Sequence, residues 1–164
     1  MNYRELWAVA DARRSHYLSA KPFPHAVFDN FLGENELRLA MQGIPPPDSE
    51  LWKRTDSEHT FAKSVAKYGR SLEQPLWYSD QAKLLFAELF SPPFLMFLSL
   101  LSGIDKLLPD PYFVEGGFHQ IGNGGRLDAH ADFSHHPIGL ERRLNLLLYL
   151  NPDWKEEYGG HLEL

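Results

Sequence analysis

His130-Ala131-Asp132 sets an imidazole and a carboxylate two residues apart. On an extended strand that spacing turns both side chains to one face. A nitrogen donor and an oxygen donor so placed form two corners of a 2-His-1-carboxylate facial triad, the ligand set that holds Fe(II) and leaves positions open. The dyad by itself is weak. With eight histidines in 164 residues, about one chain in two of this composition carries it by chance. A hydrogen-bonded pair on a solvated strand explains the dyad alone better. Its surroundings shift the balance. Gly122-Asn-Gly-Gly125 just before it makes a tight reversal where backbone passes close to a ligand, and residues 142–151 follow at a distance suited to an antiparallel neighbour.

The elements that must position this pair change character along the chain. Residues 2–16 read as a helix with Leu6, Val9 and Ala10 on its apolar side. Residues 25–29 alternate enough for a short strand. Residues 34–42 read as a helix closed by Gly43 and three prolines, and residues 44–80 as irregular, with a short strand around 60–65. Ser79-Asp80 caps a helix over 81–90. Ser91-Pro92-Pro93 starts another that runs to Ser102 and stops at Gly103. Beyond Pro109 the period shortens, and residues 118–121, 127–132, 144–150 and 160–164 read as strands between Gly-, Pro- and Asn-rich turns. The run 143–150 is nearly all apolar, as expected of a strand buried on most of both faces. Lys155-Glu156-Glu157 reads as a solvated turn.

Composition narrows the class. A chain of 164 residues with 43% hydrophobic content suits one domain with one core. Net charge of −6 and basic residues that never form a run argue against nucleic acid. The absence of cysteine excludes disulfide scaffolds, zinc–thiolate sites and cysteine nucleophiles. No signal-type leader opens the sequence, and the most apolar stretch, 94–101, is far shorter than the roughly 20 residues a span requires. The expectation is a cytoplasmic protein with no membrane partner. The helix over 94–101 is core or a subunit contact, which leaves a homodimer open.

Three blocks in order resemble a known family: His119-Gln-Ile-Gly-Asn-Gly-Gly-Arg-Leu-Asp-Ala-His-Ala-Asp-Phe133, Arg142-Arg-Leu-Asn-Leu-Leu-Leu-Tyr-Leu-Asn-Pro-Asp-Trp154 and Tyr158-Gly-Gly-His-Leu-Glu-Leu164. They are similar to the Fe(II)/2-oxoglutarate-dependent oxygenases of the prolyl 4-hydroxylase type. The 21–32 opening and the 101–111 stretch resemble bacterial members of that group. The resemblance implies an α+β fold, with N-terminal helices (about 1–108) packed on a double-stranded β-helix, or jelly roll (about 109–164), within one domain. It implies a dioxygenase that hydroxylates a C–H bond, prolyl by the nearest family, of a peptide or small molecule, with release of succinate and CO2. Fe(II), 2-oxoglutarate and O2 are the cofactor and cosubstrates so implied.

The same resemblance gives His130 and Asp132 the metal. Tyr149 stands where many such enzymes hydrogen-bond the distal carboxylate of 2-oxoglutarate. Leu147 and Leu162 wall that pocket, and Asn145 shares it by strand alternation. Gln120 occupies a position often held by tyrosine, and Arg142 or Arg143 faces the substrate entrance. His135 and His136 read as a solvated loop, and His25 as structural. The family pattern also places a second metal-binding histidine roughly thirty residues beyond the Gly-Gly-x-Leu segment and a basic cosubstrate residue about nine further on. Leu164 precedes both, so the chain reads as a truncated version with an incomplete barrel. The competing readings are a non-catalytic β-barrel binding module or truncated pseudoenzyme, and a cupin-like metal isomerase or epimerase.

Overall fold

A computed structural model describes residues 1–55, 67–69, 79–110, 117–121 and 139–164. They fall into two compact units, Met1–Gly43 with Asp80–Pro111, and Ile44–Ser79 with Tyr112–Leu164. The chain thus enters the second unit twice, where the sequence suggests one change of character near residue 108.

The first unit is helical. It contains α1 (Tyr3–Ser19), α2 (Glu34–Gln42), α3 (Asp80–Leu89) and α4 (Pro92–Ser102). Along α1, Tyr3, Leu6, Trp7, Ala10 and Tyr17 recur at helical spacing and face the core. Ala10 is fully buried, and its small side chain lets α1 lie close against α4, its principal partner. From α4 come Phe94, Phe97 and Leu101, all buried, with Leu89 from α3 completing the centre. Phe28 and Phe31 close the cluster edge-on, with ring centroids 5.6 Å from Phe97 and 6.1 Å from Phe94 respectively. Burial of each phenylalanine contributes about 1.5–3 kcal/mol.

The helix ends follow the sequence. Ser91 caps α4 by accepting from the Phe94 N–H at 3.4 Å, and prolines at the next two positions need no intrahelical partner. Gly103 ends α4 in the left-handed region at φ +73°. At α2, the Glu36 carboxylate turns back to accept from the Gly33 N–H at 2.8 Å. The strand expected over 25–29 does not form. There the Val27 carbonyl accepts from Arg13 Nη1 at 2.8 Å and Phe28 joins the helical core, so packing against the helices overrides the local alternation.

The second unit holds an antiparallel sheet in the order β1 (Lys53–Thr55), β2 (Lys67–Gly69), β3 (His119–Ile121). The register pairs Arg54 with Tyr68 and Tyr68 with Gln120. Trp52, 8% exposed, leads into β1 and donates from Nε1 to the Pro46 carbonyl at 2.7 Å. β3 fulfils the expectation over 118–121. The strands expected at 60–65 and 127–132 lie outside the described residues. Residues 144–150 and 160–164 belong to no strand, although Glu141 makes an isolated bridge. An apolar run signals a tendency to be buried but names no pairing partner, and the neighbour expected for 144–150 is 127–132.

No single helix among the described residues is long and apolar enough to cross a membrane. α3 and α4 meet that test only as a pair bent by 44°, and Leu89, Phe94, Phe97 and Leu101 on that pair are the buried core of the helical unit.

Candidate metal and cosubstrate site

β3 is the described strand nearest in sequence to the His-x-Asp pair. Phe118 is buried, and Gln120, two residues on, shares its side of the chain. Gln120 is half-buried, and its Oε1 is fully enclosed with no hydrogen-bond partner. A buried amide oxygen left unpaired costs about 1–3 kcal/mol. His119, on the opposite side, is exposed.

Residues 144–150 do not alternate in exposure, since Asn145, Leu146 and Leu147 are exposed in succession. Leu144, Leu148 and Leu150 are half-buried, while Asn145, Leu147 and Tyr149 are exposed. Leu147 is 51% and Tyr149 61% exposed. The three side chains assigned to one pocket are all exposed. Leu162 is 56% exposed on its own segment. At the expected substrate entrance Arg142 is half-buried, and Arg143 is exposed with Nη1 3.8 Å from the Glu141 carboxylate.

His130 and Asp132 lie outside the described residues, as do Gly122-Asn-Gly-Gly125 and His135-His136. Among the described residues no group of three or more His, Asp or Glu side chains is arranged to hold a metal. His161 is exposed in the last segment, and His25 is engaged elsewhere, its Nδ1 2.9 Å from the Phe23 carbonyl oxygen. The donor chemistry of the His-x-Asp pair, one imidazole and one carboxylate, fits a ferrous ion. Gln120 fits a carboxylate ligand in one respect: a half-turn about χ3 exchanges its unpaired oxygen for an amide N–H donor.

Two described elements escaped the sequence reading. β1 and β2 are three residues each, too short to show a period. The polar tripeptide Lys53-Arg54-Thr55 offers no apolar alternation, and only its register with β2, which pairs in turn with β3, reveals its place.

Residues 116–164 match the model of the 2OG-Fe(II) oxygenase superfamily. The matched stretch contains the His-x-Asp pair, Gln120, Asn145, Leu147, Tyr149 and Leu162. It supports an oxygenase function in general, with the Fe(II), 2-oxoglutarate and O2 that the superfamily uses. No curated protein and no solved structure matches the chain.

Proposed function

We propose that this chain is a Fe(II)- and 2-oxoglutarate-dependent dioxygenase of the prolyl 4-hydroxylase-like type, which hydroxylates a C–H bond of a peptide or small molecule. The observation that carries the reading is the superfamily match over residues 116–164, with the His-x-Asp pair inside it. In this proposal the strands after residue 109 contribute to a double-stranded β-helix, supported by the N-terminal helices.

His130 holds the metal through a ring nitrogen and Asp132 through one carboxylate oxygen, two of the three protein ligands such a site uses. The Tyr149 phenol donates to the distal carboxylate of 2-oxoglutarate, beside Asn145 and Leu147 on the same face. Leu162 adds an apolar wall, and the Gln120 amide turns its N–H toward the cosubstrate. Arg142 or Arg143 meets the substrate at the entrance. Once bound, the metal with 2-oxoglutarate and O2 supplies the oxidising chemistry. The residues of the chain orient the cosubstrate and keep water from the reacting atoms.

Anaerobic calorimetry with ferrous iron tests the assignment. 2-Oxoglutarate binding is expected only when the metal is present, and is expected to weaken by about tenfold or more in His130→Ala and in Asp132→Ala. Equal binding with and without iron, or unchanged binding in both variants, overturns it.

A further inference from the structure

The start of α1 lies where the ends of all four helices meet, and a chain of polar contacts runs through that point. Ser91 Oγ, which caps α4 by accepting from the Phe94 N–H, stands 3.1 Å from the Tyr3 hydroxyl. The Tyr3 hydroxyl gives its proton to Glu88 Oε1 near the end of α3. The Ser91 hydroxyl is therefore the donor to Tyr3. The same Glu88 oxygen is 3.6 Å from the Met1 ammonium. On the ammonium's other side, at 3.2 Å, is Glu36 Oε1. The second Glu36 oxygen accepts from the Gly33 N–H at 2.8 Å and so begins α2.

The Met1 nitrogen is the joint in this chain. It links Glu36 on α2 to Glu88, Tyr3 and Ser91 on the other three helices. An ammonium suits the position because it brings three N–H donors and a positive charge between two carboxylates. The Met1 side chain is 8% exposed and packs against the helical core, which holds the nitrogen in place. An acyl group on that nitrogen removes the charge, leaves one N–H, and adds a carbonyl oxygen beside two carboxylates.

The loss would be local. α1 and α4 stay joined through Ala10, Phe94, Phe97 and Leu101, which do not touch this polar chain. The far end of α2 is held separately, because Gly43 sits so close to Ala82 that an added Cβ would stand 2.9 Å from its backbone nitrogen. Only the first turn of α2 depends on the ammonium.

We propose that the Met1 amine is a modification site that governs the attachment of α2: free, it clasps the first turn of α2 to the other helices, and acylated, it releases that turn. The co-reactant is an acyl thioester. The amide C–N bond forms as the C–S bond breaks, and the ammonium gives up two protons, one to the departing thiolate and one to solvent. Nothing in this proposal depends on the oxygenase reading.

The test is amide hydrogen exchange at low salt on the full chain in two forms, one with a free Met1 amine and one acetylated there by a co-expressed Nα-acetyltransferase. Intact mass verifies each form. Acetylation is expected to speed exchange of the α2 amides of residues 37–40 about fivefold or more, and to leave residues 97–101 of α4 unchanged. Glu36→Gln keeps an acceptor for the Gly33 N–H while removing the charge. In that variant α2 is expected to exchange fast already, with no further change on acetylation. A Gly-Ser extension ahead of Met1 keeps a terminal charge but moves it away, and is expected to match the acetylated form. Equal α2 exchange in the free and acetylated chains overturns the proposal. So does an acetylation effect undiminished in Glu36→Gln, an extended chain that behaves like the free one, or an acceleration that spreads equally to α4.

Discussion

Gly103 shows how much a single position decides. Its φ of +73° is open to glycine and strained for other residues, and a Cβ there would stand 2.7 Å from Arg14 Nη2. The Arg14 side chain is flexible enough to move, so the backbone conformation carries most of the penalty. Gly103→Ala is expected to destabilise the helical unit by about 1 kcal/mol, read as a lower thermal midpoint. The stop at Gly103 is legible in the sequence because a glycine after an apolar helical run has a specific backbone meaning. His130 and Asp132 are legible for another reason, since donor type and spacing are properties of the sequence. Which third group completes their shell is not, because ligand convergence depends on tertiary placement. Tyr149→Phe removes one hydroxyl donor and is expected to raise the 2-oxoglutarate requirement in a ferrous-dependent turnover assay. An unchanged requirement would remove Tyr149 from the cosubstrate pocket.

At the scale of elements, the helices were readable and most of the strands were not. α2 has its stop written in Gly43, and α4 its start and stop in Ser91, Pro92, Pro93 and Gly103, together with an apolar spacing of three and four. The residues of β1 and β2 acquire their state only from pairing across the chain. Residues 144–150 mislead in the other direction, since an apolar run reads as a buried strand while Leu146, Leu147 and Tyr149 are exposed.

The α1–α4 contact gives the helical unit its centre. Phe97→Ala is expected to cost about 3–5 kcal/mol in unfolding free energy, measured by denaturant melts, because Phe97 is 2% exposed and the rings around it cannot all collapse into the space. The start of α1 adds a pH response. The Met1 ammonium lies 3.2 Å from Glu36 and 3.6 Å from Glu88. Its hydrogen bond to Glu36 holds its pKa above the usual 8.0. Burial and a hydrogen bond to Glu88 push the Tyr3 phenol above 10.0.

Both groups keep their protons more tightly when folded, so their stabilisation is full below the ordinary values and is lost as pH rises through the folded ones. The thermal midpoint is expected to fall modestly above pH 8.0 and further above pH 10.0, with Tyr3→Phe flattening only the second part. Glu36 and Glu88 are 44% and 37% exposed, so the ammonium contributes about 1 kcal/mol or less. A midpoint that rises over this range would contradict the assignment.

Over the whole molecule, a helical unit built from residues before 44 and after 79 accompanies a second unit that contains the superfamily match. The apolar content foretold a buried core, and the helical unit supplies it. The oxygenase reading rests on the second unit, where composition says little and three short motifs in order say most. The central claim is that these motifs perform ferrous, 2-oxoglutarate-dependent oxidation. Succinate formation from 2-oxoglutarate, under O2 with ferrous iron added and withheld, tests it most directly. The account predicts iron-dependent succinate from the unmodified chain and none above background from Asp132→Ala. Equal succinate from both proteins, or none from the iron-loaded unmodified chain, would contradict it.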